Sequence, residues 1–168
     1  KHLRGKSLVA HTYRQHPYLA TRSRIAETVL KDDAAALRAI EHALPVRSNA
    51  KLWSIGYEGR SLEGYLNALL RAGVSILCDV RKNPLSRKFG FSKRTLSHMC
   101  AELDIRYEHL PQLGIEPGER QELNGLSDYQ VLFNKYEQTV LVNESVALSK
   151  IADWVKDGES VALTCYER

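Results

Sequence analysis

Past residue 50, apolar positions along this chain fall into two alternating patterns, short unbroken runs and stripes of helical period. The runs, at residues 52–55, 74–80, 105–110 and 161–165, predict strands. The first stripe follows Ser61 and contains Leu62, Tyr65, Leu66, Leu69 and Leu70, with Gly73 as its stop. The second follows Ser92, which is expected to cap it, and contains Leu96, Met99, Cys100 and Leu103. A third helix from Asp128 puts Tyr129, Leu132, Phe133 and Tyr136 on one side. The fourth, from Ser145, turns Leu148, Ile151, Ala152 and Val155 inward and closes at Gly158. Strands alternating with helices predict an α/β fold: three layers, a mainly parallel sheet of about four to five strands, and helices on both faces. The mixed polarity of residues 105–110 and the Pro111 that ends them place that strand near a sheet edge. Residues 112–126, rich in Gly, Pro and Glu, read as a loop with a short helix.

Before residue 50 the pattern is weaker. Ser23 can cap a helix carrying Ile25, Val29 and Leu30, and Asp32 or Asp33 can cap another through Leu37, Ile40 and Leu44, which Pro45 ends. Residues 46–51 are polar and read as a linker. The expected division is therefore a basic, helical N-terminal extension at 1–50, the possible tail of a preceding domain, and an α/β domain at 51–168.

A chain of 168 residues suits one domain, or one domain with an appendage. Cys78, Cys100 and Cys165 are an odd number at wide spacing, each in an apolar segment, which argues against a disulfide framework or a zinc site. That usage favours a reducing cytoplasm. No stretch reads as a membrane span or a signal peptide, so a soluble domain is expected.

The net charge of +4 matters less than its placement. Residues 1–24 and 81–94 hold twelve of the 24 Lys and Arg and none of the 20 carboxylates. Lys1, Arg4, Lys6, Arg14, Arg22 and Arg24 surround Tyr13, Pro17 and Tyr18. Basic residues interleaved with aromatics suit phosphate and base contacts, although a strap packing its tyrosines onto its own domain fits equally well. In the second stretch a buried strand breaks abruptly into charge at Asp79 and Arg81, and Asn83-Pro84 and Gly90 then forbid a regular element.

Ligands of parallel sheets gather beyond the carboxyl ends of the strands. Here those ends are Tyr57-Glu58-Gly59-Arg60, Asp79-Val80-Arg81, His109-Leu110-Pro111 and Cys165-Tyr166-Glu167-Arg168. Asp79, Glu58 and Glu167, if close, form a set of carboxylates able to divide acid and base roles or to hold a divalent metal through oxygen. The alternative is that Asp79 caps a loop or pairs structurally with Arg81 or Arg60. Arg60, Arg81 and Arg87 offer planar forks matched to phosphate. His109 is a candidate general base or ligand, or a structural hydrogen-bonding group at the sheet edge. The scattered His and Cys have no zinc spacing, and no cofactor is singled out.

The order Ile55-Gly56-Tyr57-Glu58-Gly59-Arg60-Ser61, Cys78-Asp79-Val80-Arg81, Asn83-Pro84, Ser86-Arg87-Lys88, Gly90-Phe91-Ser92, Tyr107 and His109-Leu110-Pro111-Gln112-Leu113-Gly114 resembles the domain-of-unknown-function 488 family. The resemblance covers about residues 51–168. It implies a compact α/β domain whose motif residues converge at one site, and it carries Tyr57, Glu58, Arg60, Asp79, Arg81, Arg87, His109 and Glu167 onto that site. Members of the family it resembles continue past this point into a loop ending in Cys-His-Arg and a further helix, whereas this sequence stops at Arg168, so that it is expected either to be a fragment or to lack that part of the site. A weaker resemblance to rhodanese-like and cysteine-phosphatase folds would make Cys165 a nucleophile, but the adjacent Glu167 and the lack of glycine in its loop favour a buried apolar cysteine.

Together these readings point to an α/β domain acting on a nucleotide or nucleic acid through an Arg/carboxylate cleft. Asp79, Glu58, Glu167 and His109 would be catalytic, and Tyr57, Arg60, Arg81 and Arg87 would bind the anion. The alternative is a non-catalytic module that binds nucleic acid or a protein through its two basic stretches.

Overall fold

The computed structural model of the chain describes residues 3–43, 51–120, 123 and 125–166. Leu44, Pro45, most of the expected linker and Glu167 lie outside the described residues. The chain divides into two compact units. One comprises Lys1–Ser48 with Glu63–Gly73, and the other Asn49–Leu62 with Val74–Arg168.

In the first unit, helices α1 (Gly5–Gln15), α2 (Ala26–Val29) and α3 (Ala34–Ala43) bury a small cluster of Ala10, Ala20, Ala26, Leu30, Ala36 and Ile40. Alanine at four of these six positions lets the helical backbones approach closely. Asp33 caps α3 by accepting the Ala36 N–H at 3.0 Å, while Arg14 donates to its other oxygen at 2.7 Å. The hydrogen bond and charge of Arg14 hold the Asp33 carboxyl below its ordinary range. Within residues 1–24 the structure forms α1, which the sequence pattern did not predict. Tyr13 packs against the cluster and shares a hydrogen bond with Ser23 at 2.9 Å. Helix α4 (Leu62–Arg71) buries Tyr65 and Leu69, and the Arg71 guanidinium lies 5.3 Å from the Tyr18 ring centre.

The second unit is built on four parallel strands, β1 (Leu52–Gly56), β2 (Ile76–Asp79), β3 (Arg106–His109) and β4 (Val161–Cys165), in the order β1-β4-β2-β3. β3 does lie at an edge, as its mixed polarity predicts. β2 has no exposed position, because it is flanked by strands on both sides and covered on both faces. On one face Ile76, Cys78 and Val161 pack with Ala147 and Ile151 of α7 (Ser145–Lys156) and with Leu110 and Leu113. On the other, Leu77 and Asp79 stand in register with Tyr107 and His109, and α5 (Lys93–Glu102) reaches His109 through Lys93.

Two expected helix faces differ in detail. α7 buries Ala147 and Ile151, whereas Leu148 is 39% exposed and Ala152 is exposed, so the helix is rotated from the predicted stripe. α6 (Leu126–Tyr136) buries Leu132, but Tyr129 and Phe133 remain exposed, and the helix runs on into a π-helical turn at Glu137–Leu141. Ser92 stands at the start of α5, yet its hydroxyl does not cap the helix and instead joins Ser86.

Candidate functional site

The carboxyl end of β2 is where polar groups enter the interior. Asp79 is wholly buried, and Arg81, two residues later, keeps 4% of its exposure. A buried carboxylate needs its charge matched and its lone pairs filled. Arg81 supplies most of this: Nε donates to Asp79 Oδ1 at 2.8 Å, Nη2 to Oδ2 at 2.5 Å, and the Arg81 backbone N–H to Oδ1 at 3.1 Å. The phenolic O–H of Tyr107, from the neighbouring strand, donates to Oδ2. Four donors fill the four acceptor positions of a carboxylate.

The remaining guanidinium nitrogen, Nη1, donates to the Phe91 carbonyl at 2.8 Å and to the Tyr57 hydroxyl at 3.1 Å. Tyr57 follows β1. Its ring stacks on Phe91 with centres 4.4 Å apart and planes 12° from parallel, and Arg81 lies 5.1 Å from the Tyr57 ring centre. Burial alone would lower the Arg81 pKa. The hydrogen bonds and charge of Asp79, aided by Tyr57, outweigh it and drive the value upward, so the cation is permanent. Tyr107 is pushed up by burial and by its bond to the Asp79 carboxylate, and stays a phenol.

The loop after Arg81 is pinned to this centre. Lys88 Nζ donates to the Tyr57 carbonyl at 2.8 Å, and Gly90 takes a φ of +88° that a side-chain-bearing residue rarely adopts. Gly114, after β3, has a different reason to be glycine: a Cβ there would strike the Val80 carbonyl and lie 2.5 Å from the Lys82 backbone nitrogen. His109 Nε2 faces the Arg81 carbonyl at 2.9 Å and therefore carries the proton of that bond, leaving Nδ1 to accept from Lys93 Nζ at 3.0 Å.

Beside these groups, at the strand ends, lies a cavity of about 280 Å³. It is lined by the polar Arg81, Lys82 and Asn83 and by Tyr57, Tyr166, Ile115 and Pro117. Tyr166, which follows β4, is 45% exposed and meets Tyr57 edge to face at 5.3 Å. Its carbonyl receives the backbone N–H groups of Tyr57 and Glu58, at 3.2 and 2.9 Å. The half-buried Lys82 reaches the exposed Glu116 at 3.2 Å.

Of the residues singled out from sequence, Tyr57, Asp79, Arg81 and His109 are joined in one hydrogen-bonded network. Glu58 is exposed, and Arg87 is exposed on the loop. Arg60 is half-buried, with its Nε shut off from solvent and without an acceptor among the described residues. Glu167 lies outside the described residues. No group of three or more His, Cys, Asp or Glu among the described residues could hold a metal ion. Cys78 and Cys100 are buried, and burial, with the charge of Asp79, pushes each thiol up to about 12. Cys165 is half-buried and faces the α7 side of the sheet with Cys78, away from Asp79. Tyr107, Phe91, Lys82, Asn83 and Tyr166 belong to the centre or its cavity but were not singled out as site residues. Tyr107 is the most legible of them, since it lies in the strand beside β2 and two positions before His109. No helix among the described residues is long and apolar enough to cross a membrane.

No curated protein and no solved structure matches the chain. The profile of one family, described as a domain of unknown function, DUF488, matches residues 61–168 and so takes in β2, β3, β4 and the Asp79–Arg81 centre. The chain belongs to the DUF488 family.

Proposed function

We propose that the strand-end cavity binds a phosphorylated ligand of about mononucleotide size, and that the Asp79–Arg81 pair positions its wall rather than reacting. One observation carries this reading: a single recess is lined by Lys82 and Asn83 together with Tyr57, Tyr166, Ile115 and Pro117. A phosphate suits the first group and a flat base the second. In the Lys82–Glu116 pair Glu116 is exposed and Lys82 half-buried, and a phosphate exchanges readily for such a solvent-facing carboxylate.

Binding is favoured over chemistry by the saturation of the obvious acid and base groups. Asp79 has four donors, and both His109 nitrogens are engaged. Neither is poised to take a proton from a ligand. The charge of Arg81 is matched by Asp79 and its donors serve Asp79, Tyr57 and Phe91, which leaves Lys82 as the cavity's cation for the phosphate.

Calorimetric titration with nucleoside monophosphates, with inorganic phosphate and with the parent nucleosides tests the reading. Monophosphates should bind more tightly than either half alone, and Lys82→Ala should weaken them about ten-fold. Equal affinity for nucleoside and nucleotide, or no effect of Lys82→Ala, would overturn it.

A further inference from the structure

The loop that leaves the cavity wall is both rigid and oddly furnished. Its backbone is braced throughout: Leu85 N–H donates to Asn83 Oδ1 at 3.1 Å, Lys88 N–H to Ser86 Oγ at 3.1 Å, and Lys93 N–H to the Pro84 carbonyl at 2.9 Å. Ser92 Oγ accepts the Ser86 N–H and donates to the Ser86 carbonyl, both at 3.1 Å. On this frame Phe89 is 85% exposed and Leu85 is 74% exposed, with the exposed Arg87 between them. A large aromatic held in water on an ordered loop gains nothing for its own fold.

Charge narrows what it is for. From Val80 to Ala101 the sequence has no Asp or Glu, whereas Arg81, Lys82, Arg87, Lys88, Lys93 and Arg94 are all cationic. The loop is also tied to the cavity, because Lys82 and Asn83 belong to both, and Lys88, next to Phe89, holds the carbonyl of the cavity residue Tyr57. We infer that this loop is a stacking platform for single-stranded nucleic acid, with Phe89 receiving a base, Leu85 its edge, and Arg87 and Lys82 the phosphates. Such a strand would place one nucleotide in the cavity and the next on the loop.

An exposed aromatic among cations is the usual device for holding single strands without sequence preference, since every base has a face to stack. An anionic lipid surface would also attract this charge, but a flat surface has no use for the recess that shares Lys82 and Asn83. The inference rests on the proposed reading of the cavity for the phosphate character of its ligand.

The test is fluorescence anisotropy of the intact chain with a short fluorescein-labelled oligothymidylate, at low and at physiological salt, beside titration with thymidine monophosphate. Phe89→Ala should weaken the oligomer about ten-fold and leave the monophosphate unchanged, and Phe89→Trp should restore the oligomer. Arg87→Ala should weaken it and lower the salt slope by about one. If the oligomer binds no tighter than the monophosphate, or is indifferent to Phe89→Ala, the platform is overturned while the cavity reading stands. If the oligomer binds through Phe89 and the monophosphate does not bind, the cavity reading fails instead. Binding to phosphatidylserine vesicles without binding to the oligomer overturns the platform in favour of a membrane surface.

Discussion

Arg81 holds Asp79 from two directions, through the guanidinium, with Nε at 2.8 Å from Oδ1, and through its own backbone N–H, 3.1 Å from the same oxygen. Only a residue two positions on, past the end of a strand, can bend back to do both. The pair therefore defines how the chain leaves β2, and with it the orientation of Lys82 and Asn83 in the cavity wall.

Removing one partner should reveal this. Arg81→Ala leaves Asp79 buried without its cation and should cost about 3–5 kcal/mol. The double variant Asp79→Leu with Arg81→Met removes both charges and should cost clearly less than the single one. Urea denaturation measures both, and an Arg81→Ala loss below about 1 kcal/mol would show that the pair is not buried as described.

Tyr107→Phe should be milder. It deletes one of four donors to Asp79 while keeping the ring, and the expected loss is about 1–3 kcal/mol. The same urea titration measures it, and a loss as large as that of Arg81→Ala would mean that the phenol, not the guanidinium, carries the carboxylate.

Gly114→Ala adds a methyl group against the Val80 carbonyl and the Lys82 nitrogen, both backbone atoms that cannot rotate away. A destabilisation of about 1–3 kcal/mol is expected, with weaker ligand binding because Lys82 must shift. The melting temperature and a monophosphate titration read the two effects. An unchanged melting temperature would sink the account of this position.

Alkali should unfold the protein through its thiols. Cys78 and Cys100 have an ordinary pKa of 9.0 and are pushed up to about 12 in the fold. A folded value above the unfolded one means that the stability is fully present below about pH 9 and is lost as pH rises toward about 12. In that window each thiol lowers the stability progressively as pH rises, because the unfolded chain releases the proton that the fold retains. Stability measured across this range, with Cys100→Ala as comparison, should show a shallower fall in the variant. For the same reason neither thiol should react with a bulky disulfide reagent at pH 8 until the chain unfolds.

Much of the fold was legible in the one-dimensional pattern. The four strands lie where the apolar runs predict, and Gly73 and Gly158, at φ of +65° and +90°, stop their helices as expected. Asp33 caps α3 through its side chain because that bond is local and needs no knowledge of the rest of the fold. The faces of α6 and α7 were less legible. Periodicity identifies an apolar stripe but not how much of it finds a partner, so Tyr129, Phe133 and Leu148 were expected inside and are exposed. The stretch that forms α1 was read for its charge, and the two residues it gives to the cluster, Ala10 and Tyr13, carry little signal without the groups they pack against.

What the sequence determined by itself is the set of elements and the chemical kinds at the strand ends, because strand runs, helical stripes, caps and turns depend on neighbours within a few residues. The tertiary structure decided the strand order β1-β4-β2-β3, and the fold brought Tyr57, just past β1, and Tyr107, in β3, to the buried Asp79–Arg81 pair. It also decided that the guanidinium of Arg81 turns back onto Asp79. Both outcomes depend on which groups lose their water together, a property of residues far apart in the chain that no local spacing encodes.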